Sequence, residues 1–157
     1  MGRGTANTLN DLAEQLHAFL AEHAVLSLAT LGAEGRPQAA DVYYACPAGL
    51  ALYFVSAASS RHAANLARDP RVAGTVHADA SAWRDIRGVQ LEGTCRQLAG
   101  RQRAAGWAHY VARFPFVLAD ITLLAALKEM GVYCVTPDWL RWIDNSVGLG
   151  HHLEYRP

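Results

Sequence analysis

Apolar residues open the chain at helical spacing. Leu9, Leu12, Leu16, Phe19 and Leu20 fall on one side of a helical repeat, with Asn7 or Thr8 placed to cap it and Asp11 and Glu14 in its first turns. From Ala24 the pattern changes. Residues 24–31 form a buried apolar strand, Gly32-Ala-Glu-Gly35 turns the chain before Pro37, and a second strand runs from Gln38 to Cys46. Pro47-Ala-Gly49 is a tight connection to a third strand, Leu50 to Ser56. Residues 59–68 have helical composition and stop at Asp69-Pro70, after which Arg71 to His77 returns to strand. A loop around residues 79–84 precedes a long strand from Ile86 to about Leu98. The alanine- and leucine-rich stretch 100–127, broken at Phe114-Pro115, reads as two helices. Val132 to Thr136 and Trp139 to Ile143, separated by Pro137-Asp138, supply two closing strands, and Asn145 to Gly150 is a terminal loop.

These elements predict a mainly β barrel with appended helices, in one domain over residues 1–157. The N-terminal helix occupies 1–23, the barrel core 24–98, the helices 99–130, and the closing strands with the C-terminal loop 131–157. A chain of 157 residues suits one core. Charged residues make up 18%, below the usual share of about a quarter, and so lightly charged a surface points to an oligomer. Acidic and basic residues number 14 each, which leaves no net attraction for nucleic acid or an acidic membrane. Cys46, Cys95 and Cys134 lie far apart without a C-x-x-C pair, so they indicate neither a disulfide framework nor zinc, and they fit a reducing cytoplasm. The start of the chain has no apolar signal region, and no run approaches the length of a membrane span.

Two segments carry candidate chemistry. In Tyr53-Phe-Val-Ser56-Ala-Ala-Ser-Ser60-Arg61-His62 a strand runs into hydroxyls and two potential cations at a helix start, the groups that hold a phosphate monoester. The competing reading is a serine cap beside a solvated arginine. In Ile86-Arg87-Gly88-Val89-Gln90-Leu91-Glu92-Gly93 the strand period puts Ile86, Gly88, Gln90 and Glu92 on one face. Gly88 then leaves a gap beside the Gln90 amide for a flat ring, while Gly88 and Gly93 equally mark bulges of a bent strand.

With these two segments the sequence resembles the pyridoxamine 5'-phosphate oxidase-like superfamily of flavin-binding split β-barrels. The family's serine-arginine-lysine stands here as Ser60-Arg61-His62, and its arginine-glutamine-valine-arginine-valine-glutamate-glycine strand as Arg87 to Gly93. Arg61-His62-Ala63, Val72 to Val76, Ile86 to Gln90, Phe114-Pro115 and Asp144-Asn145 with Gly148-Leu-Gly150 resemble a group of small uncharacterised bacterial members. The resemblance implies FMN, with Ser56, Ser60, Arg61 and His62 on its phosphate and ribityl chain. It also implies a homodimer in which Gly88 and Gln90 reach the flavin from the partner subunit, and a flavin-dependent oxidoreductase of unstated substrate. Several positions depart from the oxidase itself. His62 replaces the usual lysine, Gly88 replaces the glutamine, and residues 40–45 lack its basic side chains. No arginine-rich segment for pyridoxal phosphate precedes Leu153-Glu-Tyr-Arg-Pro157. Flavin binding is therefore expected without vitamin oxidation.

The rival reading is a binding protein without turnover, holding haem, flavin or another small aromatic ligand. Haem would draw on His62, His77, His151 or His152. His151-His152, in a terminal loop without a spaced partner, reads as solvated and not as a metal site. No G-x-S-x-G elbow is present. Tyr43, Tyr44 and His77 lie on barrel strands, where packing is their default role, and Trp83 lies in a loop able to cover a ring.

Overall fold

The computed structural model describes residues 3–157, with side chains from Leu9 onward. Helix α1, Arg3–Glu22, buries Leu12, Leu16, Phe19 and Leu20, while Leu9 stays half exposed. The helix runs through Asn7 and Thr8, so neither residue sits at its start as the cap position requires. Strands β1 (Val25–Leu31), β2 (Pro37–Ala45) and β3 (Leu52–Ser56) follow as an antiparallel meander. After the short helix α2 (Arg61–Leu66) come β4 (Arg71–His77) and β5 (Arg87–Gln97). Helices α3 (Gly100–Arg113), α4 (Phe116–Ala119) and α5 (Ile121–Lys128) lead to β6 (Gly131–Asp144) and β7 (His152–Tyr155).

The strand order is β3-β2-β1-β4-β5-β6-β7, and an additional antiparallel pairing of β3 with β6 closes the first six strands into a barrel. Closure satisfies the strand edges that an open sheet would leave bare. Alternation fills the interior: Leu26, Leu28, Tyr44, Phe54, Val76, Val89, Leu91, Val135 and Leu140 are all fully buried. Helix α1 packs onto this core, where the Phe19 and Trp142 rings meet edge to face and Tyr44 Oη donates to Leu20 O at 2.7 Å. Burial of that phenol raises its pKa, so it stays protonated and structural.

Three sequence expectations are corrected. The closing segment is one strand and not two, because Pro137 pairs with Gly93 at a bulge between Glu92 and Gly93, where the ladder is already disrupted. A Cβ on Gly93 would lie 2.8 Å from Pro137 Cα, so the close approach there requires glycine. The helical stretch breaks twice: Asp120 caps a separate α5 by accepting from the N–H groups of Thr122 and Leu123. His152 belongs to β7 and not to a loop, paired with Ile143.

Candidate functional site

The corner between β3 and α2 gathers most of the predicted phosphate-binding residues. Ser56 ends β3, Ser60 caps α2 by accepting from the Ala63 N–H at 3.2 Å, and Arg61 and His62 open the helix. Ser56 Oγ lies 3.3 Å from Ser60 Oγ and 2.7 Å from His62 Nε2, so two hydroxyls and an imidazole form one hydrogen-bonded group. Arg61 is exposed and has no hydrogen bond or ion pair among the described residues. Helix α2 is fixed from behind by Asn65, which is fully buried and donates to Thr30 Oγ1 at 2.9 Å and Gln38 Oε1 at 2.8 Å. Half-burial lowers the His62 pKa below its ordinary value, which favours the neutral imidazole at pH 7.

Gly88 and Gln90 stand elsewhere. Ser56 pairs with Gly131 at the start of β6, while Gln90 pairs with Arg141 and Gly88 with Ile143 near its end. The run of β6 between Gly131 and Arg141 spans about 30 Å at the rise of a strand. Within one subunit the two predicted halves therefore pair with opposite ends of β6. Gly88 and Gln90 line a small groove of about 150 Å³ with Ile86 and Ile143, and a Cβ added at Gly88 would lie 2.8 Å from Val76 O. The position therefore requires glycine.

Gln90 lines an open groove of about 610 Å³ on the outer face of the sheet, floored by small residues such as Ala29, Ala39 and Ala73. Its other wall holds two residues that the sequence reading had not selected, Trp139 and Arg141. Glu154 on β7 accepts from Arg141 Nη2 at 2.7 Å and from Trp139 Nε1 at 3.2 Å, and the guanidinium lies over the indole 5.1 Å from its centroid. The Arg141 and Trp139 donors hold the Glu154 carboxyl below its usual range. Arg141 Nε is sealed from water without an acceptor, an arrangement that costs about 1–3 kcal/mol. Alternation along the predicted strand Trp139 to Ile143 puts this pair on one face, while their place beside Gln90 depends on the register of β6 against β5.

The remaining candidates scatter. Tyr43 is more than half exposed, against the Phe114 ring. Exposed His77 lines a groove of about 310 Å³ with His23, Ser27 and Asp41. Trp83 is exposed in a turn whose carbonyl accepts from Asn145 Nδ2 at 2.9 Å, which joins it to the loop after β6. Burial pushes the Cys95 thiol up to about 12 and Cys46 up to about 11, far from a nucleophilic thiolate at pH 7. No cluster of three or more His, Cys, Asp or Glu suited to a metal occurs among the described residues. The Ser56, Ser60 and His62 group with its unengaged Arg61 has the donor set of a phosphate monoester site, so these residues fit FMN at its phosphate end.

The family profile described as pyridoxamine 5'-phosphate oxidase matches residues 12–142. A UPF0306 protein of Enterobacter sp. (strain 638) is 34% identical over 113 residues, covering 72% of this chain and 74% of that protein. The structure of a heme binding protein from Mycobacterium smegmatis superposes with a TM-score of 0.74 at 25% identity, over 92% of this chain. This chain spans 57% of that one. A conserved hypothetical protein from Mycobacterium tuberculosis superposes with a TM-score of 0.72 at 21% identity over 88% of each chain, a likeness of fold.

Proposed function

The chain belongs to the pyridoxamine 5'-phosphate oxidase family, and from that premise we propose that it binds FMN between two copies of itself and acts as a flavin-dependent oxidoreductase on a substrate other than pyridoxamine phosphate. The observation that carries this reading is the β3–α2 corner, where Ser56, Ser60 and His62 already bond to one another and Arg61 stands free. Arg61 supplies the charge and the fork for the phosphate, the two serines supply hydroxyls, and His62 adds a cation when the phosphate raises its pKa. FMN, once bound, supplies two-electron transfer, and the protein binds and orients it.

Placement supports the homodimer. Ser56 and Gln90 pair with opposite ends of β6 in one chain, and a partner subunit would bring the Gln90 of one copy to the corner of the other. The open sheet face, floored by Ala29, Ala39 and Ala73, suits the close approach of a second copy. The substrate differs from that of the oxidase because Leu153-Glu-Tyr-Arg-Pro157 is not an arginine-rich stretch of the kind that holds pyridoxal phosphate there.

The test is the absorbance spectrum of the purified protein, with mass spectrometry of the small molecule released on denaturation. Blue-region flavin bands and the mass of FMN support the reading. The similarity to a heme binding protein supports a second one, in which the same sheet face holds haem with exposed His77 or His152 as a ligand. An intense Soret band would replace the flavin reading with that one.

A further inference from the structure

We infer that Arg141 is a recognition residue for the imide edge of the flavin ring, acting with Gln90 from the subunit opposite the one that holds the phosphate; this rests on the FMN reading above. Gln90 and Arg141 are register partners on neighbouring strands and line the same groove, so their side chains rise from the outer face as cross-strand neighbours. The edge of isoalloxazine away from its benzenoid ring presents a carbonyl, an N–H and a second carbonyl in a row. A matching surface offers donor, acceptor and donor. A glutamine amide provides one donor and one acceptor, and a guanidinium provides the remaining donor.

Arg141 is built for such a role. A surface arginine without a task turns its Nε into water, whereas the Nε of this one is dry, its Nη2 is held by Glu154, and 35% of its side chain remains open. Trp139, held by the same carboxylate, fixes the guanidinium plane from below. Glu154 is thus a positioning residue, reaching the ring only through Arg141.

Titration of the dimer with FMN and with lumiflavin, which has the ring and no phosphate, tests the inference. Arg141→Met keeps the packing over Trp139 and removes every donor. It is expected to weaken FMN and lumiflavin by the same factor, about tenfold, as for the loss of one charge-assisted hydrogen bond. Arg141→Lys keeps the charge without the planar fork and is expected to weaken both ligands as well. Circular dichroism and light scattering of the variants verify the folded dimer. Unchanged affinity for both ligands in folded Arg141→Met and Arg141→Lys overturns the inference and leaves the FMN reading standing. Dissociation of the dimer by Arg141→Met, with ligand affinity per remaining dimer intact, also overturns it, because the guanidinium would then be bonding the partner chain. Wild-type protein that binds neither FMN nor lumiflavin fails at the FMN reading itself.

Discussion

The β3–α2 corner and the outer groove beside Gln90 are assembled in opposite ways. At the corner, four candidate residues come from one stretch of seven positions, Ser56 to His62, and two hydroxyls and an imidazole already bond to each other. The groove draws its walls from β1, β2, β4, β5 and β6, and its polar groups depend on strand register and on a clamp from β7. The contiguous site is fixed by local geometry and by the Asn65 anchor to Thr30 and Gln38, so damage to the barrel away from those strands should leave it intact. A site built from register moves when any strand slips, because one residue of slip sends every side chain to the other face. The two regions should therefore respond differently to substitution and to ligand truncation.

The largest expected effect is at the corner. Arg61→Ala removes a charge-assisted bond to phosphate worth roughly 1.5–3 kcal/mol, so FMN affinity should fall by about ten- to a hundredfold while riboflavin binding barely changes. Fluorescence titration with both ligands reads the difference. Equal losses would show that Arg61 does not touch the phosphate and would end the distinction between the two ends.

Gly88→Leu comes next and strikes the groove through its scaffold. An added Cβ meets Val76 O, so β4 must shift away from β5, and overpacking of this kind costs about 1–3 kcal/mol. Urea denaturation should show that loss, with lumiflavin binding weakened as the register is disturbed. A variant of unchanged stability would mean that β4 yields freely at this point. Gln90→Ala is milder. Its side chain makes no hydrogen bond among the described residues, so the fold should stay as stable as before. Loss of one neutral bond, about 1 kcal/mol, should lower FMN and riboflavin affinity alike by roughly fivefold. A loss confined to FMN would place Gln90 at the phosphate instead.

The same contrast explains what the sequence disclosed. Ser56, Ser60, Arg61 and His62 were legible because the chemistry lies in consecutive residues at a strand-to-helix junction. Strands β1, β2 and β4 were legible from alternation and from the turns that bound them. Trp139 and Arg141 fell on the predicted strand Trp139 to Ile143, but their place beside Gln90 was not legible, since it depends on the register of β6 against β5. Their role depends further on β7, four residues whose pairing with β6 rests on a loop of glycines that the sequence marks as irregular. Gly88 was singled out for a gap beside the Gln90 amide, and a side chain added at that position has no room. What occupies the room, the β4 carbonyl, is a matter of long-range register that no local pattern records.

The smallest effect, and the finest test of the corner, is the pH response of His62. Burial lowers its folded-state pKa, so between its ordinary value of about 6.5 and that lowered value the unfolded chain binds the proton first. Above this window the imidazole is neutral in both states and the residue contributes no slope; within it, stability falls as pH falls. His62→Gln retains an amide able to bond Ser56 and cannot titrate, so the ligand-free variant should lose less stability than wild type between pH 7 and pH 5. The other histidines titrate in both proteins, and the difference between the two curves isolates His62. Saturating FMN should reverse the sign of that difference, because a phosphate beside the ring favours the imidazolium and lifts the bound-state pKa. Denaturation midpoints at matched pH values, with and without FMN, decide it. Parallel wild-type and His62→Gln curves in the absence of ligand would show that the ring is not desolvated, and a difference unaltered by FMN would place the phosphate away from His62.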